Sequence, residues 1–317
     1  MSTVEADALD DPDPARSASV ELVIVAYRSR QQVEGLLSGL PDDLPVVVID
    51  NSDGSDGLRD VVLARPAGRY LEGGGVGFAR AANKGARSST ADVLVFVNPD
   101  TRPTLRDLTT LAQDVLDDPT CAASAGTLVE PDGRAQIGVG GWEPSVLRAA
   151  VHAAGLHKLL PERGIFARPE IGRPARVDWV SGGCMAIRRE TFERLGYFDE
   201  GYYVYLEDVE YGRAARAAGL HETLRTDVTI SGSSGGSGAP SLEMMRLRGA
   251  SMTRYLRRHH PAPAAALMIV LIGLGYVVRA VERRLRGDAQ RAREHWSYAV
   301  GSFTGTATVG GRVVTRA

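Results

Sequence analysis

The stretch Val93-Leu-Val-Phe-Val-Asn-Pro-Asp100 decides the fold that we expect for this chain. Its five apolar residues are rich in valine and predict a strand that is covered on both faces, as strands of parallel sheets are. The strand ends in Asn98-Pro-Asp100, which places a carboxylate at the carboxyl edge of the sheet, where α/β proteins bind ligands. The tripeptide is equally compatible with a proline turn that only closes the strand.

Strand and helix patterns alternate on both sides of this stretch. Apolar runs predict strands at 20–26, 46–49 and 69–71, and helical spacing predicts helices at 30–40, 78–88 and 104–117. Strands that alternate with helices indicate the α/β class, with a mostly parallel sheet and right-handed crossovers. Residues 131–176 lose the alternation, and we interpret them as an excursion over the edge of the sheet.

Composition limits the classes of partner. The chain of 317 residues has 37 Lys and Arg against 39 Asp and Glu, so no overall basic charge indicates a nucleic acid partner. Cys121 and Cys184 are too few for a disulfide framework or a zinc site, and we expect buried free thiols in a reducing compartment. Residues 1–19 carry neither apolar periodicity nor a secretory signal, which predicts a disordered tail. The predicted domains are therefore this tail, 20–240 and 241–317.

A second group of carboxylates lies in Tyr203-Val-Tyr-Leu-Glu-Asp-Val-Glu-Tyr211. Aromatic side chains exclude water and pack well against sugar rings, and a helix is predicted to begin at about Glu207. Glu207 and Asp208 are adjacent, and their repulsion favours uptake of a proton by one of them. Asp208, near the start of the helix, can deprotonate a hydroxyl group. The same acids also fit a structural role in which they complement the helix dipole.

Two further segments suggest contacts to a nucleotide. Asp50-Asn-Ser-Asp53 follows a predicted buried strand, and acidic residues in such positions accept hydrogen bonds from a nucleobase or a ribose. Gly73-Gly-Gly-Val-Gly77 precedes a predicted helix, whose first N–H groups favour anions. Arg80, Asn83 and Lys84 lie on the first turns of that helix. Taken alone, each segment is better explained as a turn without a ligand.

Two glycines end the predicted strand in Trp179-Val-Ser-Gly-Gly183 and allow a ligand to approach the backbone closely. A β-bulge is the alternative. His152, His157 and His221 lack the spacing of metal ligands, and no Gly-x-Ser-x-Gly elbow or Cys/His pair suggests a hydrolase.

The segment 262–278 is uncharged and apolar, and arginines stand on both sides of it. It is shorter than the roughly 20 apolar residues that a spanning helix needs. Basic flanks suit a helix that lies on an anionic membrane surface. We favour this interpretation over a buried C-terminal helix and over a spanning one.

The order of these segments carries more information than any one of them. The first half contains Val23-Ile-Val-Ala-Tyr27, Val48-Ile-Asp-Asn-Ser52, Gly77-Phe78 with Asn83-Lys-Gly85, and Asn98-Pro-Asp-Thr101. The second half contains Pro131-Asp-Gly133, Trp179-Val-Ser-Gly-Gly183, Gly196-Tyr-Phe-Asp199 and Tyr205-Leu-Glu-Asp208. From about residue 20 to 260 this series resembles the inverting glycosyltransferases of family 2, most closely their bacterial rhamnosyltransferase-like branch. The resemblance implies a GT-A fold, with a mostly parallel Rossmann-like sheet flanked by helices and a helical C-terminal extension.

The resemblance also implies a set of site residues. Asp208 and Glu207 would be catalytic, with Asp208 as the base, and Asp100 would bind Mg²⁺ or Mn²⁺. The nucleoside-diphosphate sugar donor, with dTDP-rhamnose favoured, would contact Ala26, Tyr27, Asp50, Asn51, Asp53, Gly77, Arg80, Asn83, Lys84 and Asn98. The acceptor would contact Trp179, Ser181, Gly182 and Gly183.

Three positions depart from the family pattern. Arg28 and Gly75 stand where the family often has Asn. A His that commonly follows the base and helps to hold the metal is absent from Thr229-Ile-Ser-Gly-Ser-Ser-Gly-Gly-Ser237. Its absence implies weaker metal binding, a larger contribution from Arg80 and Lys84, or an inactive protein.

The function that follows from the resemblance is inverting transfer of a hexosyl or rhamnosyl group to a glycan or lipid-linked glycan in cell-envelope or polysaccharide synthesis. The protein would act at the cytoplasmic face of the cell membrane, and pairing into a homodimer stays open. Two alternatives remain. One is a non-catalytic subunit that binds sugar nucleotides or glycans, which the missing His favours. The other is a sugar nucleotidyltransferase, which would need a basic, Gly-rich loop nearer the first strand.

Overall fold

The computed structural model describes residues 18–130, 132–156, 159–168, 170–232 and 241–317. The tail predicted at 1–19 lies almost entirely outside these residues, and so do residues 233–237 of the stretch that lacks the expected His. In the described part of the chain, nine strands form one mixed sheet, and two further pairs of strands form small sheets of their own.

The strands differ greatly in length, from two residues to twelve. They are β1 (Val20–Ala26), β2 (Val46–Asp50), β3 (Gly68–Glu72), β4 (Val93–Val97), β5 (Thr101–Arg102), β6 (Cys121–Val129), β7 (Gly140–Gly141), β8 (Ala175–Val177), β9 (Trp179–Val180), β10 (Cys184–Arg188), β11 (His221–Gly232), β12 (Thr306–Val309) and β13 (Arg312–Arg316).

The large sheet has the order β3-β2-β1-β4-β10-β6-β11-β5, with β8 paired to β11. Its first four strands are parallel, β10 is antiparallel to both of its neighbours, and β6 and β11 are again parallel. The predicted α/β class is therefore confirmed. Because β1, β2 and β4 run in the same direction, their carboxyl ends meet at one edge, where Ala26 pairs with Asp50.

Two of the longest strands, β6 and β11, were not predicted from the sequence. The β6 segment Cys121-Ala-Ala-Ser-Ala-Gly126 is made of small residues with low strand propensity. Its pairing with β10 and β11 holds it in the sheet nevertheless. A Cβ atom at Gly126 would lie 2.5 Å from the Cδ1 atom of Ile230 in β11, so any larger residue would force Ile230 to move. Tertiary packing has overridden local preference in this strand.

Helices cover both faces of the sheet and form the C-terminal region. They are α1 (Arg30–Leu37), α2 (Leu58–Leu63), α3 (Phe78–Arg87), α4 (Leu105–Asp117), α5 (Val146–Ala153), α6 (Arg189–Arg194), α7 (Glu207–Ala217), α8 (Ser241–His259), α9 (Ala262–Leu285) and α10 (Ala289–Thr304). The start of α4 agrees with the sequence pattern, because Thr104 and Asp107 form a capping box.

Alternation of side chains along each strand produces two hydrophobic layers. Leu22 and Ile24 of β1 pack with α1 and α4 on one face of the sheet. Val23 packs with α3 and α7 on the other face. The helices on the second face carry the segments that follow the strand ends, so this layer fixes their position.

The C-terminal region is helical, as predicted, and it ends in the β12–β13 hairpin, which was not predicted. Helices α8 and α10 pack closely because each presents a glycine to the other. A Cβ atom at Gly249 would lie 2.2 Å from the Tyr298 carbonyl oxygen, and one at Gly301 would lie 2.0 Å from that of Arg246. Met252 and Tyr255 of α8 share a hydrophobic cluster with Trp179 of the sheet domain. The region is thereby packed onto the sheet domain.

Helix α9 extends well beyond the apolar segment 262–278 that the sequence suggested. Among the described residues it is the one helix that is long and apolar enough to cross a membrane, with a mean hydropathy of 2.2 over its most apolar window. Helices of this composition also occur inside soluble proteins, and α9 packs against α5, α8 and α10.

Candidate active site

A cavity of about 420 Å³ lies at the carboxyl ends of β1 and β4. One side, which we call the sheet-edge wall, consists of the strand ends and of the segments before α3 and α7. The other side, the C-terminal wall, consists of Met244, Arg248, Met252, Tyr298 and Val309. The stretch expected over the sheet edge at 131–176 also contributes to the lining, through residues such as Val139 and Phe166.

Most of the candidate site residues from the sequence line this cavity, and a smaller group does not. The lining includes Tyr27, Asn51, Gly77, Asn98, Asp100, Trp179, Ser181, Gly182, Gly183, Glu207 and Asp208. The residues that lie outside the lining are Ala26, Asp50, Asp53, Arg80, Asn83 and Lys84.

Asp50 and Asn51 organise the end of β2. The buried Asp50 carboxylate accepts hydrogen bonds from the Ser52 backbone N–H and the Tyr70 hydroxyl, both at 2.9 Å. The Asn51 side-chain oxygen accepts a 2.9 Å hydrogen bond from the Val76 N–H and so ties the Gly-rich loop to the sheet. Asp53 is exposed, and its carboxylate accepts hydrogen bonds from Ser55 in a turn. Neither carboxylate lines the cavity. Asp50 stabilises the end of β2, and Asp53 stabilises an exposed turn that follows it.

The cationic face of α3, predicted to meet a diphosphate, lies outside the cavity lining. Arg80 lies 3.7 Å from Glu200, and the Lys84 ammonium donates a 2.6 Å hydrogen bond to the Glu72 carbonyl. Asn83 is fully buried, and its amide exchanges hydrogen bonds of 2.8 and 3.0 Å with the Phe198 backbone. Asn83 thus anchors the segment before α7 to α3 from outside the cavity lining, and the donor contact expected for it stays a prediction.

The start of α3 contacts the second carboxylate segment directly. Gly77 has φ of +92°, and the Phe78 N–H donates a 2.6 Å hydrogen bond to the Tyr203 carbonyl. A Cβ atom at Gly77 would lie 2.3 Å from that same carbonyl oxygen. The glycine is required here by both its backbone conformation and its close approach. The contact brings the Gly-rich loop to the aromatic residues that precede Glu207.

Asn98, Pro99 and Asp100 form a turn that opens on the cavity. The Asn98 N–H donates to the Gly183 carbonyl at 2.9 Å, and Thr101 donates from its N–H and its hydroxyl to the Asn98 carbonyl. These bonds hold the end of β4 against the Ser-Gly-Gly segment. Within the described ranges, no group of three or more His, Cys, Asp or Glu side chains is arranged to hold a metal. Mg²⁺ nevertheless needs only one or two protein carboxylates when substrate phosphates complete its shell, and Asp100 beside Asn98 fits that donor set.

The backbone before α7 is strained, and the strain positions the acids. Tyr205 and Leu206 have φ of +69° and +73°, in the left-handed region that such residues rarely adopt. Strain of this kind persists only where surrounding packing enforces it, and it is common at functional sites. Helix α7 starts directly after these two residues, so both Glu207 and Asp208 reach the cavity lining.

The two acids differ in their protonation. Burial raises the pKa of Asp208 to about 6, although the hydrogen bond from the Val209 N–H and the charge of Arg248 both act to lower it. Burial and the neighbouring Asp208 raise the pKa of Glu207 well above its ordinary value. One Glu207 oxygen is buried without a hydrogen-bond partner among the described residues. Asp208 is therefore the member of the pair that is ionised at pH 7 and able to accept a proton.

A third buried acid, Glu222 of β11, was not recognised in the sequence. One of its oxygens accepts a 2.7 Å hydrogen bond from the Val180 N–H, and burial raises its pKa well above the ordinary value. The negative charge of Asp208 raises it further. Glu222 thereby holds β9, the strand that leads into the Ser-Gly-Gly segment. In the sequence it could have been found only as a single acid at a buried position of β11, a strand that was not predicted.

The C-terminal wall was also missed. Met244, Arg248 and Met252 are spaced by four residues, which places them on one face of α8, and all three line the cavity. The Arg248 guanidinium lies over the Tyr205 ring, 4.4 Å from its centroid. The i, i+4 spacing is visible in the sequence, but 241–317 was predicted as a region separate from the domain at 20–240, to which all predicted site residues belong.

Comparison with known proteins agrees with this geometry. Residues 22–196, more than half of the chain, match the profile of glycosyl transferase family 2. The N-acetylglucosaminyl-diphospho-decaprenol L-rhamnosyltransferase of Mycobacterium tuberculosis is 29% identical over 62% of this chain and 70% of its own length. The low-salt glycan biosynthesis hexosyltransferase Agl10 of Haloferax volcanii is 25% identical, and the match spans 64% of this chain and only 63% of that protein. Rhamnosyltransferase WbbL of Escherichia coli is 26% identical over 63% of this chain and 78% of its own length.

Solved structures share the fold at lower identity. The mannosyltransferase PcManGT from Pyrobaculum calidifontis, solved with GDP-Man and Mn²⁺, has a TM-score of 0.54 and 18% identity over 92% of this chain and 89% of its own. GalNAc-T7, solved with UDP, GalNAc and Mn²⁺, has a TM-score of 0.51 and 16% identity over 77% of this chain and 52% of its own. The GT-A-like architecture predicted from the sequence is thus confirmed. The chain belongs to glycosyl transferase family 2.

Proposed function

We propose that this chain transfers a sugar from a nucleoside-diphosphate sugar to a hydroxyl group of a glycan or lipid-linked glycan, with inversion at the anomeric carbon. The observation that carries the proposal is that Asp100 and Asp208 line one cavity at the carboxyl edge of the sheet. Asp100 follows β4, and Asp208 lies in the first turn of α7. Asp100 can therefore act on the leaving diphosphate while Asp208 acts on the acceptor hydroxyl. The names of the family relatives support the same reaction class.

Asp208 would act as the general base. Its pKa of about 6 leaves it ionised at neutral pH yet basic enough to take the proton of the acceptor hydroxyl. The acceptor oxygen attacks the anomeric carbon as the bond from that carbon to the diphosphate oxygen breaks. The proton ends on Asp208, and the bonding pair leaves with the nucleoside diphosphate. Burial and the neighbouring Asp208 raise the pKa of Glu207, which favours its neutral form and keeps a second negative charge away from the incoming oxygen.

Asp100, with Asn98 beside it, would hold Mg²⁺ or Mn²⁺, as expected from the sequence. Such an ion supplies positive charge to the departing diphosphate. The presence of Mn²⁺ with nucleotide ligands in both structural neighbours supports this assignment. Tyr27 and Asn51 are proposed to contact the nucleoside, and Trp179, Ser181, Gly182 and Gly183 the acceptor, because they line the same cavity. Rhamnose is the first sugar to test, since two of the three relatives are rhamnosyltransferases by name.

We also propose that the protein works peripherally at the inner face of the cell membrane. Helix α9 exposes an apolar stripe at helical spacing, made of Leu267, Val270, Leu274, Val278, Val281 and Leu285, the last of them 82% exposed. Arg283, Arg284 and Arg286 follow in the last turn of α9 and directly after it, close to Leu285. An apolar face with basic neighbours suits an anionic lipid surface. A lipid-linked acceptor would be met at the same surface.

The proposal is tested by comparing Asp208→Asn with Asp117→Asn, an exposed control at the end of α4. Transfer from a panel of nucleoside-diphosphate sugars to short lipid-linked acceptors is measured with Mg²⁺, Mn²⁺ or a chelator. Loss of the base should lower the rate by about 100-fold or more, while the control keeps the wild-type rate.

Full transfer by a folded Asp208→Asn protein contradicts the assignment of the base. Nucleotide binding by the wild type without transfer to any acceptor would instead indicate a binding subunit. Release of pyrophosphate from a nucleoside triphosphate and a sugar phosphate would indicate a nucleotidyltransferase.

A further inference from the structure

We propose that Arg248 of the C-terminal wall is an anion-binding residue of the cavity and receives the diphosphate of a substrate. The inference rests on the proposed function, which it deepens by naming a residue outside the part of the chain that matches the family profile. The shared chemistry is a diphosphate, and it has two sources, the nucleotide donor and a lipid-linked acceptor.

Within the part of the chain that the structure describes, the Arg248 guanidinium is not engaged in a hydrogen bond or an ion pair, although its positive charge acts on Asp208. It lies over the Tyr205 ring. Neighbouring arginines are used differently. Arg213 and Arg216 both bind Glu143, and Arg258 binds Asp199. Arg248 therefore keeps all five of its donors for a ligand.

The position of Arg248 is equally specific. Arg248 is exposed, and it lines the cavity. The Tyr205 ring covers one side of the guanidinium and leaves its edge available, an arrangement in which Arg retains its charge and its directional donors. The side chain is thus held in place before any ligand arrives.

The charges that line the cavity favour such a residue. Asp100, Glu207 and Asp208 line the cavity, and of the described lining residues Arg248 is the one Lys, Arg or His. A diphosphate that entered a cavity of acids would be repelled unless cations compensate. Arg80 and Lys84, expected from the sequence to supply that charge, lie outside the lining. Arg248 fills that role from the opposite wall, and a planar guanidinium matches phosphate oxygens in pairs.

Calorimetric titration of the full-length protein tests the proposal. The variants are Arg248→Gln, Arg248→Lys and the control Arg257→Gln, which changes an exposed arginine on the same helix. The probes are dTDP, UDP and GDP with Mg²⁺, geranyl diphosphate as a soluble lipid diphosphate, and thymidine and geraniol as matched compounds without phosphate.

We expect Arg248→Gln to bind one class of diphosphate at least tenfold more weakly than the wild type, with no change for the phosphate-free compounds. Weaker binding confined to the nucleotides assigns Arg248 to the donor, and weaker binding confined to geranyl diphosphate assigns it to the acceptor. Arg248→Lys should fall between the two, because it keeps the charge and loses the paired donors. It also keeps the test valid if the Gln variant folds poorly.

Unchanged diphosphate affinity in both Arg248 variants overturns the inference, even if the wild type transfers sugar normally. The proposed function and this inference can also be separated in the reverse case. Diphosphate binding that depends on Arg248, in a protein that transfers no sugar under any condition, leaves this inference standing and removes the proposed function.

Discussion

The two walls of the cavity differ in how their residues are positioned. On the sheet-edge wall, Asn51, Asn98 and Asp100 follow the ends of strands, and hydrogen bonds with Val76, Gly183 and Thr101 hold Asn51 and Asn98 there. On the C-terminal wall, Met244, Arg248 and Met252 lie on one face of α8, and packing against α10 decides where that face points. Residues at strand ends can be located from the sequence next to them. Residues on a helix face can be located only after the partner of the helix is known.

The largest effect is expected where the two kinds of positioning meet, at Gly77. Gly77→Ala would place a Cβ atom 2.3 Å from the Tyr203 carbonyl oxygen and must push α3 away from the segment that carries Glu207 and Asp208. Overpacking of this kind should lower the free energy of unfolding by about 1–3 kcal/mol beyond any effect of backbone strain. Transfer should fall sharply even in the fraction that remains folded.

Gly219→Ala is the matched control. Gly219 also has positive φ, +76°, but a Cβ atom there would meet nothing within 4 Å, so this variant reports strain alone. Chemical denaturation and the transfer assay are measured on both variants. Equal losses in the two would show that the contact between α3 and the acid segment has no importance of its own.

Much of the sheet-edge wall was predictable because its signals are local. The sequence next to the residues of this wall locates them. A buried valine run ends in Asn98-Pro-Asp100, and an aromatic segment ends in Glu207 and Asp208. Arg80 and Lys84 lie outside the cavity lining, which the sequence could not show, because a residue's place on a helix face does not say which neighbour covers that face. Glu222 and Arg248 were missed for the same reason, since the strand and the helix that carry them acquire their orientation from tertiary packing.

A smaller effect is expected on the outer side of the C-terminal region. Val278, in the exposed stripe of α9, is 65% exposed, and a Glu there adds a negative charge to a surface proposed to meet anionic lipid. The variant loses one aliphatic contact with lipid and adds repulsion from the anionic surface, so vesicle binding should weaken by about tenfold. Cosedimentation with vesicles of neutral and anionic phospholipid measures this, with Leu63→Glu on the exposed part of α2 as the control.

Equal vesicle binding by Val278→Glu and the wild type would remove the membrane assignment of α9. A wild type that ignores vesicles, sediments as a dimer and becomes a monomer on Val278→Glu substitution would assign the stripe to a second copy of the chain. Either result would leave the chemistry of the sheet-edge wall untouched, because that wall shares no residue with the stripe.

The smallest effect is expected in the pH dependence of transfer, through the electrostatic interaction between Arg248 and Asp208. Burial raises the pKa of Asp208 to about 6, and the positive charge of Arg248 acts against that rise. A base must be ionised to work, so the transfer rate should increase as pH rises through about 6 and then level off. Removing the charge in Arg248→Gln should move this increase to higher pH by a fraction of a unit, and Arg257→Gln should leave it in place. Rates measured from pH 5 to 8 at subsaturating acceptor, about one unit or more on each side of that pKa, give the profile. A profile that does not move would mean that water in the cavity screens the pair, and that Arg248 acts on the diphosphate without tuning the base.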